Sequence, residues 1–194
     1  MRRVLSLAVV AVVAIAAASP GVAQAQQPDT AALLASQVEA MRAFATLDGM
    51  WRGPATVLQA DGSRLSFVQT ERIGPLLGGS IKVIEGRGYS DDGSVRFNAL
   101  GIVSFDPATR AYTMHSHAQG HVGDFAFVAT GDGYRWEIPL GAATIRYVAT
   151  VRDDELHEVG DRFVDGREPL RIFEMRLKRI GATDWPAAGA VGPK

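Results

Sequence analysis

Two hydrophobic periods divide the chain. Behind the helix-start residues Pro28, Asp29 and Thr30, the apolar positions Leu34, Val38, Met41 and Ala45 recur at the spacing of one helical face. That spacing predicts a helix from about Thr30 to Thr46, ended by Asp48-Gly49. Ser36, Gln37 and Arg42 occupy its other face, so the helix should lie against something apolar. From Trp51 onward the period is two, which predicts strands over 51–59, 64–72, 80–88, 95–105, 109–117, 122–129, 134–138, 143–151, 155–163 and 169–178. Asp-Gly pairs at 61–62, 92–93, 132–133 and 165–166, with Asp106-Pro107, stand between these runs as hairpin signals. Connections this short require antiparallel neighbours. An up-and-down sheet of this length keeps exposed edges unless it closes on itself. The expected fold is therefore all-β, an antiparallel up-and-down barrel of about ten strands with one N-terminal helix, and an open, sandwich-like sheet is the alternative.

Ahead of the helix the pattern is of another kind. Arg2 and Arg3 precede a small and apolar run from Val4 to Ala18, which Ser19, Pro20 and Gly21 break before Ala23-Gln24-Ala25. The run is short of the roughly 20 residues a spanning helix needs, and Ala23 with Ala25 supplies the small residues a signal peptidase accepts. Residues 1–25 are expected to be a signal peptide cleaved after Ala25, giving a periplasmic or secreted protein. Residues 26–46 would then be an N-terminal segment with the helix, 47–180 the barrel, and 181–194 a tail that packs Trp185 on the outside. Trp51 and Trp136 are expected to be buried and Trp185 more exposed.

Composition narrows the function. With 47% hydrophobic and 21% charged residues the chain fits one globular domain. Without Arg2 and Arg3, 18 basic residues face 21 acidic ones, a net charge of −3 that offers no field for nucleic acid. No nucleic-acid partner and no stable membrane insertion after cleavage are expected, and the oligomeric state is left open. The absence of cysteine excludes disulfides, thiolate metal sites, cysteine nucleophiles and a lipoprotein anchor. No Gly-x-Ser-x-Gly elbow or phosphate loop is present, so neither a catalytic residue nor a cofactor is assigned by motif.

Leu47-Asp48-Gly49-Met50-Trp51-Arg52-Gly53 places a Gly-x-Trp at the opening of the first strand, directly after the helix. Further blocks are Trp136-Glu137-Ile138-Pro139, Ile145-Arg146-Tyr147, Glu158-Val159-Gly160-Asp161-Arg162 and Phe173-Glu174-Met175. With these the whole mature chain resembles the calycin-like barrels, a group that includes lipocalins, fatty-acid-binding proteins and nitrobindin-like proteins. It is most similar to exported bacterial members with no assigned activity. The resemblance implies that Trp51 packs across one barrel end and holds the helix or the last strand there. Fatty-acid-binding proteins clamp a carboxylate with an Arg-x-Tyr near the C-terminus and a second Arg. Here Arg171 matches the first, Arg146 would supply the second, and Phe173 stands where the tyrosine would be. Nitrobindin-like barrels hold haem through one histidine, which makes His157 the residue to compare, although Glu155 and Asp161 share its face.

The residues themselves offer two more constellations. His115 and His117 are two apart on one strand and share a face, with His121 or Asp124 across the turn as a third ligand for zinc or another transition metal. A solvated strand end is the simpler reading of the same residues. Glu71, Glu85, Glu158 and Glu174 lie within strands, where a close, desolvated pair would do acid and base work. The leading expectation is an exported, lipocalin-like binding module for a small apolar or amphipathic molecule in the lumen. Arg146, Arg171, Tyr112, Trp136, Glu158 and Glu174 are its candidate ligand-binding residues. A haem or metal protein, or an enzyme, using the histidines is the first alternative. A filled, purely structural barrel is the second.

Overall fold

Asp29 caps the first helix: its side chain accepts hydrogen bonds from the backbone N–H groups of Ala31 and Ala32, at 3.0 and 3.3 Å, and starts helix α1 (Thr30–Met41). The computed structural model describes residues 29–185, so the expected export segment, its cleavage point and the end of the tail lie outside the described residues. The α-helix stops earlier than the apolar spacing predicts, because Arg42–Leu47 winds as a 3-10 helix. The tighter winding brings residues three apart into line. Met41, Phe44 and Leu47 therefore form one buried stripe, whereas Leu34 and Ala45 from the predicted helical face are exposed.

Ten strands follow: β1 (Gly49–Leu58), β2 (Arg64–Leu76), β3 (Ile81–Tyr89), β4 (Val95–Asp106), β5 (Ala111–Ala118), β6 (His121–Ala129), β7 (Gly133–Leu140), β8 (Ala143–Arg152), β9 (Glu155–Val164) and β10 (Leu170–Gly181). Each pairs antiparallel with its sequence neighbour, and β1 pairs with β10, so the sheet is a closed barrel. The predicted architecture is the observed one. One turn differs. At Asp132-Gly133 the left-handed residue is Gly131, and Gly133 already belongs to β7, where a Cβ would lie 2.0 Å from the Ala149 carbonyl oxygen.

The stripe of Met41, Phe44 and Leu47 plugs one end of the barrel. Phe44 meets Tyr112 edge-on at 5.0 Å and Phe127 at 5.3 Å, and the Tyr112 hydroxyl donates to the Ala40 carbonyl at 2.9 Å. Trp51 is completely buried beside this plug. Its indole N–H donates to the Leu47 carbonyl at 2.9 Å, and the Arg179 guanidinium from β10 lies 4.0 Å above its ring. Arg179 also donates to the carbonyls of Thr46 and Asp48, so the last strand, the first strand and the plug are tied at one point. Beneath them Lys82 is buried against Asp48 as an ion pair.

The outer wall mixes exposed apolar residues such as Val122 and Val128 with charges that face each other across strands. Arg72 pairs with Glu85, Arg146 with Glu137, and Arg171 with Asp161, each in direct register. Such pairs contribute roughly 0.2–1 kcal/mol each when exposed, and they suit a wall that faces water. Among the described residues no helix is long and apolar enough to cross a membrane. Trp185 packs on this wall, stacked 4.2 Å from the Arg72 guanidinium, with its indole N–H donating to the Arg72 carbonyl.

Candidate functional site: a lumen with an acidic floor

The inward positions are filled unevenly. Near the plug they are aromatic, with Phe127 stacked on Tyr134 at 4.8 Å. Towards the other end they include Gly86, Ala99, Gly101, Ser116 and Ala118, and these small residues leave a cavity of about 480 Å³. It extends to the barrel end opposite the plug, where Val57, Gln59 and Arg96 line it. One wall is aromatic: Trp136 and Tyr147 stack nearly parallel at 4.4 Å, and Phe173 approaches Tyr147 at 6.1 Å.

The floor is polar. Gln69 and Glu71 are two apart on β2 and so point the same way, while Tyr134 and Trp136 on β7 and Glu158 on β9 reach the same space. Gln69 donates through Nε2 to Glu71 Oε1 at 2.6 Å, and the Trp136 indole N–H donates to Glu158 Oε1 at 3.3 Å. A Cβ on Gly86 would sit 2.7 Å from Glu71 Oε1, so the glycine makes room for the carboxyl against β3. The Gln69 carbonyl oxygen, Oε1, is buried and has no hydrogen-bond partner among the described residues.

Burial dominates the electrostatics of this floor. It pushes the Glu71 carboxyl up to about 8, against the Gln69 hydrogen bond and with added repulsion from Glu158. Glu158 is raised to about 7 by the same desolvation, opposed by the Trp136 and Tyr134 donors. Tyr147 is pushed up to about 12 by burial and by Glu158, and Tyr134 is raised well above the usual phenol range for the same reasons. Raised carboxyls gathered in a cavity mark a functional-site candidate. Among the described lining residues the two carboxylic acids, Glu71 and Glu158, lie at the floor and the one arginine, Arg96, at the far end.

Trp136 and Glu158 are thus brought together in the lumen. Trp136 is only half-buried, because one side of it faces the cavity, which corrects the expectation of a core tryptophan. Tyr112 faces inward but belongs to the plug. The arginine clamp is not formed inside the barrel. Arg146 and Arg171 sit on the outer wall with Glu137 and Asp161: Arg146 is one residue out of step with the inward Tyr147, and the β9–β10 register shifts between Arg171 and Phe173, so that Ile172 and Phe173 both line the cavity while Arg171 turns out to Asp161. Glu174 is likewise outside, bonded to His157 and Arg176, which lower its pKa. That placement also keeps His157 out of the lumen: its Nε2 lies 2.9 Å from Glu174 Oε1, so it does not stand where a lumenal haem would be held. His115 and His117 share the outer face as expected, with rings 4.9 Å apart, and His115 Nδ1 lies 2.6 Å from Asp124. His121 pairs in register with the inward Ala118, on the opposite side of the sheet from His115 and His117. Among the described residues no three metal-ligating side chains converge.

Sequence reasoning missed Gln69 and Arg179. A signal for the first existed: Leu65, Phe67, Gln69, Glu71 and Ile73 alternate on one face, and two polar residues inside an apolar series mark a polar spot in a core. Arg179 carried no comparable signal, since its role depends on a partner 128 positions earlier in the chain.

No protein-family model matches the sequence, and no curated protein matches it. Among solved structures, the crystal structure of Rv2717c from M. tuberculosis is similar in fold, with a TM-score of 0.54 and 14% identity over 72% of this chain and 96% of that one. The likeness supports the barrel fold alone.

Proposed function

We propose that the protein is an exported, calycin-like carrier that holds a small apolar or amphipathic molecule in its lumen. The single observation that carries this reading is the cavity. At about 480 Å³ it falls in the size range of ligand sites, and its wall is mainly apolar with a few polar groups gathered at one end, the usual makeup of such sites. A structural barrel would gain by filling this space, because each void forfeits packing contacts. The Trp51 and Arg179 arrangement at the plugged end supports the calycin kinship. Export is proposed on the Arg2, Arg3 and Ala23-Gln24-Ala25 pattern, and mass spectrometry of the natural protein checks it by finding Gln26 as the first residue.

Nile red, a neutral dye whose emission shifts to the blue in apolar surroundings, tests the carrier reading. One saturable site per chain is expected. Ala99→Phe, which places a ring in the cavity, should abolish binding while leaving the melting temperature within a few degrees. Binding that persists in this variant, or that never saturates, would contradict a lumenal site.

A further inference from the structure

The cavity floor offers acceptors with no basic side chain among them. Glu71 and Glu158 approach it from β2 and β9, and the Gln69 carbonyl oxygen is buried there without a partner among the described residues. Buried acceptors are normally satisfied, so an orphan beside a cavity marks the place of a missing donor. At the plugged end the candidate cations are engaged, Lys82 with Asp48 and Arg179 with the Trp51 ring and the Thr46 and Asp48 carbonyls, and Arg96 lies at the opposite end of the lumen. We propose that the polar end of the guest is a protonated primary amine, seated head-down on Gln69, Glu71 and Glu158 with its apolar body along the Trp136 and Tyr147 wall.

The chemistry of an alkylammonium head matches this floor. Its three N–H groups are donors only, as a lysine head is, and three acceptor side chains await them. Its charge needs carboxylates once water is excluded, and hydrogen bonds to ionised groups are the stronger kind. The flat aromatic wall takes the apolar body of the same molecule. A fatty acid fits poorly in the same pose, since its carboxylate would meet two acids and no base. It would have to enter tail-first and leave its head at Arg96.

The groups facing Glu71 and Glu158 are Tyr134 and Trp136 from β7, Tyr147 from β8 and Gln69 from β2, none of them cationic, and Glu85 on β3 adds repulsion to Glu71. An ammonium ion would therefore be the counter-ion that this floor lacks, and its arrival should drive a carboxyl proton off to solvent. The inference rests on the lumenal carrier reading and specifies its guest.

The test is displacement of Nile red near neutral pH by three molecules with one chain length: dodecylammonium, dodecanol and dodecanoate, each below its micelle concentration. Dodecylammonium should compete at a concentration at least about tenfold lower than the other two, in line with the greater strength of charge-assisted hydrogen bonds. Calorimetry in two buffers of different ionisation heat should show proton release for the amine and none for the alcohol. In the double variant Glu71→Gln, Glu158→Gln the amine preference should vanish while dodecanol still competes. Equal competition by all three in the wild-type protein, or a dodecanoate preference that Arg96→Ala removes, would overturn the amine assignment and leave the carrier reading standing. Failure of Nile red and of all three chains to bind would remove both.

Discussion

Glu71 and Glu158 are the residues whose placement has the clearest consequence for the intact protein. Both carboxyls are raised by burial, so between the ordinary carboxylate value and about pH 8 the folded state holds more protons than the unfolded one. The stability this contributes is complete below about pH 4.5 and drains away as pH rises through about 7 and 8. Glu85, Glu155 and Glu174 are held low by their ion-pair partners and act in the opposite direction, but only below about pH 4.5. The melting temperature should accordingly be higher near pH 5 than near pH 8. Glu71→Gln should flatten that slope, since it removes the group most resistant to ionising. A melting temperature that rises across this interval in the wild-type protein would contradict the burial of the pair. Trp51→Ala should cost about 3–5 kcal/mol, as truncating a buried aromatic ring does, and far more than Trp185→Ala on the outer wall. Chemical denaturation of the two variants checks it.

At the scale of elements, the strands were legible because alternation and turn residues are local signals; eight of the ten lie within two residues of the predicted bounds, while β2 and β10 run four and three residues further at their C-terminal ends. The helix was legible only in part. Its N-cap at Asp29 is local chemistry, but the change to 3-10 winding after Met41 answers to the barrel end it must fill. No window of sequence contains that demand. The lumenal faces were harder still: Arg146 and Tyr147 are adjacent, and a one-residue error in phase exchanges the wall for the cavity. Because the plug rather than the exposed first turns of α1 does the packing, Phe44→Ala should destabilise by about 3–5 kcal/mol, whereas Leu34→Ala should stay within about 0.5 kcal/mol. Equal losses in a denaturant titration would show that the helix, and not the 3-10 segment, holds the end of the barrel.

At the scale of the whole molecule, charge is sorted by surface. The outer wall pairs its charges across and along the strands, several of the pairs in direct register, and the lumen keeps two acids at its floor and one arginine at its far end. A closed sheet with a plugged end and small inward residues beyond the plug becomes a container. The methionines report on this directly, since Met114 and Met175 line the cavity, Met41 lies in the plug and Met50 lies outside the lumen. Methyl-13C methionine spectra recorded during a titration with dodecanol, a neutral guest that leaves the choice of head group aside, test whether the guest lies in the lumen. The Met114 and Met175 methyls should shift and show nuclear Overhauser contacts to the alkyl chain, while Met41 and Met50 stay in place. Shifts confined to Met50, or none at any of the four at saturating dodecanol, would contradict the lumenal site.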